Sequence, residues 1–440
     1  MKKAICLLVG FILFAYVFAG CGGNKKYAVP VYADDKCMDI GGHDAPPLHK
    51  TSQEGFDDFA EAGFTVLIVS KWALDVANDH DKAVTFLDRA QNAGLKLLIV
   101  DSAFCLPFMP NDPSTWAYKP ADKAYIKYYK DHPAFAGLML ADEPNQEAFP
   151  ALKLKLDEFK ETFPGKLGWT NTYVNTADDF YNTHSKRWIE EVGVQYMSYD
   201  HYALLDNGDI RQDYFQNLEF VRTLAKKHNL PAHNFLLTTG HVVSGAMAYR
   251  TPNEAELRWQ IACDLAYGYS WFTHFNCWTP DPLDKNTIIA PDGSRTQLYY
   301  DVKTTNLEMH KWDHVYLSFE WQGTAPILGN RGLMNWMFSI IENVVEKDQI
   351  DGIKAVRATE DILVGIFKDA NKNKGFMVTN ATNPFEEKFN RVTLEFEKPY
   401  KGVQIYERGV PRIADLDKDG RVVIDLEPGD GAFLIPLKKK

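Results

Sequence analysis

The stretch Phe135-Ala136-Gly137-Leu138-Met139-Leu140-Ala141-Asp142-Glu143-Pro144 joins an uncharged apolar run to an acid pair and a proline. A continuous apolar run of strand length is what a parallel strand covered on both faces requires. Pro144 stops the run and biases Glu143 toward an extended backbone, so the acids are expected at a strand tip rather than inside a helix. Neighbouring side chains on a strand point to opposite faces, so at most one of the two should face a common site. The bland alternative is that both are solvated, or favour the N-terminus of a following helix.

Seven further runs share this texture: 28–33, 64–70, 95–101, 166–173, 194–199, 234–239 and 269–276. Amphipathic stretches fill the gaps. Phe149, Leu152, Leu156, Phe159 and Phe163 recur at helical spacing, as do Leu218, Val221 and Leu224. Thr251 as N-cap, Pro252 at the first helical position and Glu254 reaching back predict a capped helix carrying Leu257, Ile261 and Leu265 and ending at Gly268. Eight strands alternating with helices predict an α/β chain forming a (β/α)8 TIM barrel. A doubly wound sheet would need a Gly-x-Gly-x-x-Gly after its first strand, and none is present. Beyond Gly323 the runs shorten and are broken by Asn, Pro and Gly, predicting a small C-terminal all-β domain of sandwich type. Asp415, Asp417, Asp419 and Gly420 imitate a calcium loop, but Leu426 stands where the bidentate Glu belongs, so a hairpin turn is expected there.

The 440 residues carry a net charge of −11, which argues against a nucleic-acid partner. Six cysteines are too few for a disulfide framework, and Cys37, Cys105, Cys263 and Cys277 show no Cys-x-x-Cys spacing, so no metal and no cofactor is expected. At the N-terminus Lys2 and Lys3 precede an apolar run ending in Ala19-Gly20-Cys21, the pattern of a cleaved signal peptide. Its small-small-Cys end resembles the lipobox of bacterial lipoproteins, which implies lipidation of Cys21. The resulting expectation is a signal peptide over 1–20, a tether over 21–27, a barrel over 28–322, and a linker with the β-domain over 323–440. It also places the chain in the bacterial cell envelope, at the outer membrane, held to the membrane through the lipid anchor only.

Functional residues of such a barrel project from the C-terminal strand ends. Those ends offer Asp34, Trp72, Asp101, Asp142 with Glu143, Asn171 with Tyr173, Tyr199 with Asp200, His201 and Tyr202, His241, and Asn276 with Trp278. Carboxylates, amides and large rings around one mouth suit a carbohydrate, and glycosidic cleavage needs a carboxyl proton donor and a second carboxylate.

The segment Gly137 to Pro144 resembles the strand-four ending of the (β/α)8 retaining glycoside hydrolases, whose acid/base Glu sits there. Tyr199-Asp200-His201-Tyr202 is similar to their segment after strand six, and Glu427-Pro428-Gly429-Asp430-Gly431-Ala432 resembles the last hairpin of their β-domains. The resemblance implies a glycoside hydrolase with Glu143 as general acid. It stops at strand seven, where those enzymes carry a Glu nucleophile, because 232–253 contains no acid. Three readings stay open. The enzyme inverts, with Asp200 as base across a gap of roughly 6.5–9.5 Å; or Asp101 or Asp34 is the partner; or the site binds glycan without cutting it. An enzyme of deacetylase or lyase type is a further, weaker alternative. Trp169 and Trp271 serve equally well as sugar platforms or core, and Glu256 and Arg258, two apart on a helix, are expected to pair with other elements.

Overall fold

The computed structural model describes residues 26–71, 73–106, 117–173, 180–243, 247–278 and 287–440. Eight parallel strands close a barrel: β1 (Asp39–His43), β2 (Val66–Ile68), β3 (Lys96–Ile99), β4 (Phe135–Asp142), β5 (Leu167–Tyr173), β6 (Met197–Asp200), β7 (Ala232–Leu237) and β8 (Trp271–Phe275). Each pairs with the next, and β8 returns to β1 with Thr273 opposite Gly41. Helices α1 (Gln53–Glu61), α2 (His80–Ala93), α3 (Phe149–Thr162), α4 (Tyr214–Lys227), α5 (Glu254–Ala266) and α6 (Gln297–His310) follow β1, β2, β4, β6, β7 and β8. The regular alternation is incomplete among the described residues. A short 3-10 turn at Ile126–Tyr128 lies between β3 and β4, and wide turns at Phe180–Ser185 and Trp188–Val192 between β5 and β6.

Three expectations are corrected. Strand one is not 28–33 but Asp39–His43. Gly41 and Gly42 disguise it as a loop, yet a Cβ on Gly41 would stand 2.1 Å from Thr273 Oγ1, so the β8 side chain occupies the space a larger residue would need. The 28–33 segment instead leads away from the β-domain: Ala28 N–H bonds Lys438 O at 3.0 Å, and Tyr27, expected in the tether, is buried with its hydroxyl on Lys401 O. The N-cap of α5 is Asn253, not Thr251. Its side chain takes the Glu256 N–H while Glu256 reaches back to Asn253 N. Glu254 pairs with Arg258 at 2.6 Å one turn on, and Arg258 also holds Glu308 at 2.9 Å.

The C-terminal strands form two antiparallel sheets. One contains β9 (Phe319–Ile327), β11 (Ile362–Asp369), β12 (Lys374–Asn380), β14 (Gly402–Glu407), β15 (Val410–Asp415) and β17 (Gly431–Leu437), and the other β10 (Ile353–Ala358), β13 (Asn390–Phe396) and β16 (Arg421–Leu426). Val364, Phe376, Leu394, Ile405 and Ile424 fill the space between them. The Asp417–Gly420 turn forms as expected, with Gly420 N–H on Asp417 O, but it carries the chain from one sheet to the other instead of closing a hairpin. The larger sheet packs on α5: Thr379 and Thr324 hydroxyls donate to Ala262 O and Ala266 O, the last turn of that helix. Phe433 joins the two parts, its ring within 5.9 Å of Trp312, Tyr316, Phe319 and Phe367. No helix among the described residues is long and apolar enough to cross a membrane.

Candidate active site

The barrel interior is read from strand parity. Trp169, Ser198, His233, Phe235 and Thr273 turn inward and are buried. A hydrogen-bonded chain runs through them: Thr273 Oγ1 to His233 Nε2 at 2.8 Å, His233 Nδ1 to Ser198 Oγ at 2.8 Å, and Ser198 Oγ donating to Asn171 Oδ1 at 2.7 Å. Burial holds His233 near pKa 3, so its ring is neutral and one nitrogen must accept. The Asn171 amide N–H2 then reaches two carboxylates, Asp142 Oδ1 at 3.2 Å and Asp200 Oδ1 at 3.0 Å.

Both acids of the 142–143 pair face this point, contrary to the alternation expected of a strand. Along β4 and β5 Met139 pairs with Trp169 but Ala141 with Thr170, leaving Leu140 as an extra residue. This bulge shifts parity by one and swings Asp142 inward. Glu143 then departs from extended backbone, with φ +44, although Pro144 follows it. The Glu143 N–H still bonds Asn171 O at 2.9 Å, anchoring the turn to β5.

The Glu143 carboxyl lies close enough to Asp200 and Asp142 to feel both charges. Burial first, then the Asp200 and Asp142 charges, raise its pKa to about 9, so Glu143 is a neutral acid at ordinary pH. Burial and Asp200 raise Asp142 to about 6, against a lowering pull from His43. Glu143 and Asp200 therefore share the mouth of the barrel and interact electrostatically.

Around this centre Tyr202 packs on Phe275 at 5.3 Å, edge-on to His241 at 5.2 Å, with its phenol facing Asp200 and Glu143. The Tyr173 ring packs against His184 at 5.2 Å, and its phenol is raised by burial and then by Glu143. His241 Nδ1 bonds Thr239 O at 2.9 Å. Asn276 donates to Asp44 Oδ2 at 3.1 Å, and Trp278 is half-buried against His49.

Other candidates fall elsewhere. Asp34, read as a strand-one tip, is exposed at the opposite end of the barrel, 3.7 Å from His314, because strand one begins after it. Asp101 is 1% exposed and committed on both oxygens, to Tyr129 hydroxyl at 2.7 Å and Ala103 N–H at 3.0 Å. Tyr199 turns outward and bonds Tyr269 hydroxyl at 3.0 Å, a core role. His201 likewise points out, to Asp213 and Asn217. Trp169 is fully buried beneath the mouth. Trp72 and Cys21 lie outside the described residues. His43 lies in a Gly- and Pro-rich stretch that reads as a loop, yet it ends β1 with Asp44 beside it; the Ser198–His233–Thr273 chain has as its only sequence signal polar residues alternating within apolar strands.

No family model matches the chain, and no curated protein is similar to it in sequence. Solved structures do share the fold. A glycoside hydrolase is matched over 91% of this chain and 92% of its own, with a TM-score of 0.55 at 11% identity. A glycoside hydrolase family 5 protein from Bacteroides vulgatus ATCC 8482 is matched over 91% and 89%, with a TM-score of 0.54 at 11% identity. The chain spans 62% of the length of a beta-galactosidase from the psychrophilic Marinomonas ef1, with a TM-score of 0.48 at 11% identity. The closed barrel with an appended all-β domain is thus an architecture found among glycoside hydrolases.

Proposed function

We propose that this chain is a glycoside hydrolase acting on an oligo- or polysaccharide in the bacterial cell envelope. The observation that carries the reading is the acid group at the C-terminal mouth of the barrel, where Asn171 bridges Asp142 and Asp200 and burial with these charges keeps Glu143 protonated beside them. Glu143 donates its proton to the glycosidic oxygen as the bond to the anomeric carbon breaks. Asp200, held by Asn171, is the second carboxylate. In a double displacement Asp200 attacks the anomeric carbon and Glu143 returns as base to activate water, whereas in an inverting reaction Asp200 is the base on a water between the two; retaining pairs stand about 5–5.5 Å apart and inverting ones roughly 6.5–9.5 Å. Tyr173, Tyr202, His241, Asn276 and Trp278 supply rings and polar groups for sugar faces and hydroxyls. The lipobox-like end of the N-terminal run supports anchoring through Cys21.

Screening against aryl glycosides and envelope-type oligosaccharides tests the reading. Glu143→Gln and Asp200→Asn should each lower kcat by about 10²–10⁴-fold or more with binding retained. Full turnover by either variant contradicts it. A glycan-binding scaffold without catalysis is the second reading, supported by the missing carboxylate at β7, where Thr238, Thr239 and His241 stand. Oligosaccharide binding by calorimetry without product release would select it.

A further inference from the structure

At the other end of the barrel, Cys37 just before β1 meets His310 and Asp313 at the end of α6 and the turn after it. Cys37 Sγ lies 3.6 Å from His310 Nδ1, and that nitrogen lies 2.9 Å from Asp313 Oδ2. The other ring nitrogen, Nε2, stands 2.8 Å from Gly63 O. A carbonyl only accepts, so Nε2 carries a proton and fixes the ring. This is the outer bond that orients metal-binding imidazoles. The carboxylate also only accepts, so Nδ1 donates to Asp313 and gives up that proton, as Cys37 does its thiol proton, when a cation binds. Asp313 is steadied in turn by the N–H groups of Met38 at 3.0 Å and His314 at 2.6 Å.

We propose that Cys37, His310 and Asp313 bind a divalent transition cation of zinc type, with a solvent molecule as fourth ligand. The sulfur–nitrogen distance is the decisive measure. Zinc bonds of about 2.3 Å to sulfur and about 2.0–2.1 Å to nitrogen at the tetrahedral angle place those atoms about 3.6 Å apart, the separation present here. The carboxylate would retreat by about 0.5 Å from its hydrogen bond to take its own place. A thiolate with an imidazole favours zinc over the hard cations magnesium and calcium. Cys37 is exposed, so both cation and water have access. Spacing rules could not find this site, because Cys37 and His310 come together only when β8 closes on β1. The site would tie the entry of β1 to the exit of α6.

The full chain, stripped of metal by chelator dialysis, should bind one equivalent of Co²⁺ with a thiolate-to-metal absorption band, and Zn²⁺ should displace it. Cys37→Ser should abolish the band and weaken Zn²⁺ binding on the order of 100-fold. In the unaltered chain, Zn²⁺ should protect Cys37 from iodoacetamide, read by peptide mass against Cys105. This second readout stands if the variant fails to fold. Absence of the band with unchanged alkylation overturns the proposal, as does equal Zn²⁺ affinity in the unaltered chain and Cys37→Ser.

Discussion

Asn171 on β5 donates its side-chain amide to Asp200 at the tip of β6 at 3.0 Å, and beside this pair burial and the Asp200 and Asp142 charges keep Glu143 protonated. The bulge at Leu140 turns Asp142 inward, and the left-handed turn at Glu143 brings the next carboxyl into the same group. Three acids thus gather at the mouth, with Asn171 bridging two of them.

Holding Glu143 neutral has a signature in stability. Its pKa rises from 4.5 to about 9, so the folded chain keeps a proton that the unfolded chain has released across that range. Its contribution is fully present below about pH 4.5, declines as pH rises, and is lost through pH 9. Glu143→Gln carries no charge and removes the slope. Calorimetry should find the variant's Tm close to that of the unaltered chain at pH 4 and measurably higher at pH 8. A Tm difference that does not change with pH would contradict this.

Asp142 is one of the charges that raise Glu143. In Asp142→Asn the basic limb of the kcat/KM profile should therefore move to lower pH, while turnover at the optimum persists. An unmoved limb, measured over pH 6–10, would detach that limb from Glu143.

Asn171 donates to both Asp142 and Asp200 and is held from behind by Ser198. Hydrogen bonds to charged groups are worth about 1.5–3 kcal/mol, so Asn171→Ala should cost roughly 10–100-fold in kcat with a small change in KM. Ser198→Ala, one step further back, should cost less.

Much of the architecture was legible. Apolar runs gave seven of the eight strands to within a few residues, because buried parallel strands need such runs whatever their neighbours. The failures share a cause. β1 is written Asp39-Ile40-Gly41-Gly42-His43, and only the packing of Thr273 explains its glycines. For that reason Asp34 reads as a strand tip and His43 as a loop residue. Glu143 was found from sequence, but its geometry was not: a bulge depends on pairing with β5, which no local pattern records.

The first-strand correction can be checked directly. Gly41→Ala sets a methyl against Thr273 in a packed interior, and overpacking of this kind costs about 1–3 kcal/mol. A urea midpoint equal to that of the unaltered chain would show the space to be free.

Asp34, exposed at the far end of the barrel, gives the complementary result. Asp34→Asn should leave both kcat and KM unchanged, and a loss of turnover would return it to the mechanism.

The central claim is that Glu143 protonates the departing oxygen. Hydrolysis of aryl glycosides with leaving groups of graded acidity, by the unaltered chain and Glu143→Gln, tests it most directly. A lost proton donor predicts a deficit that grows as the leaving group becomes more basic and nearly vanishes for the most acidic phenols. A deficit of the same size across the whole series would contradict the account.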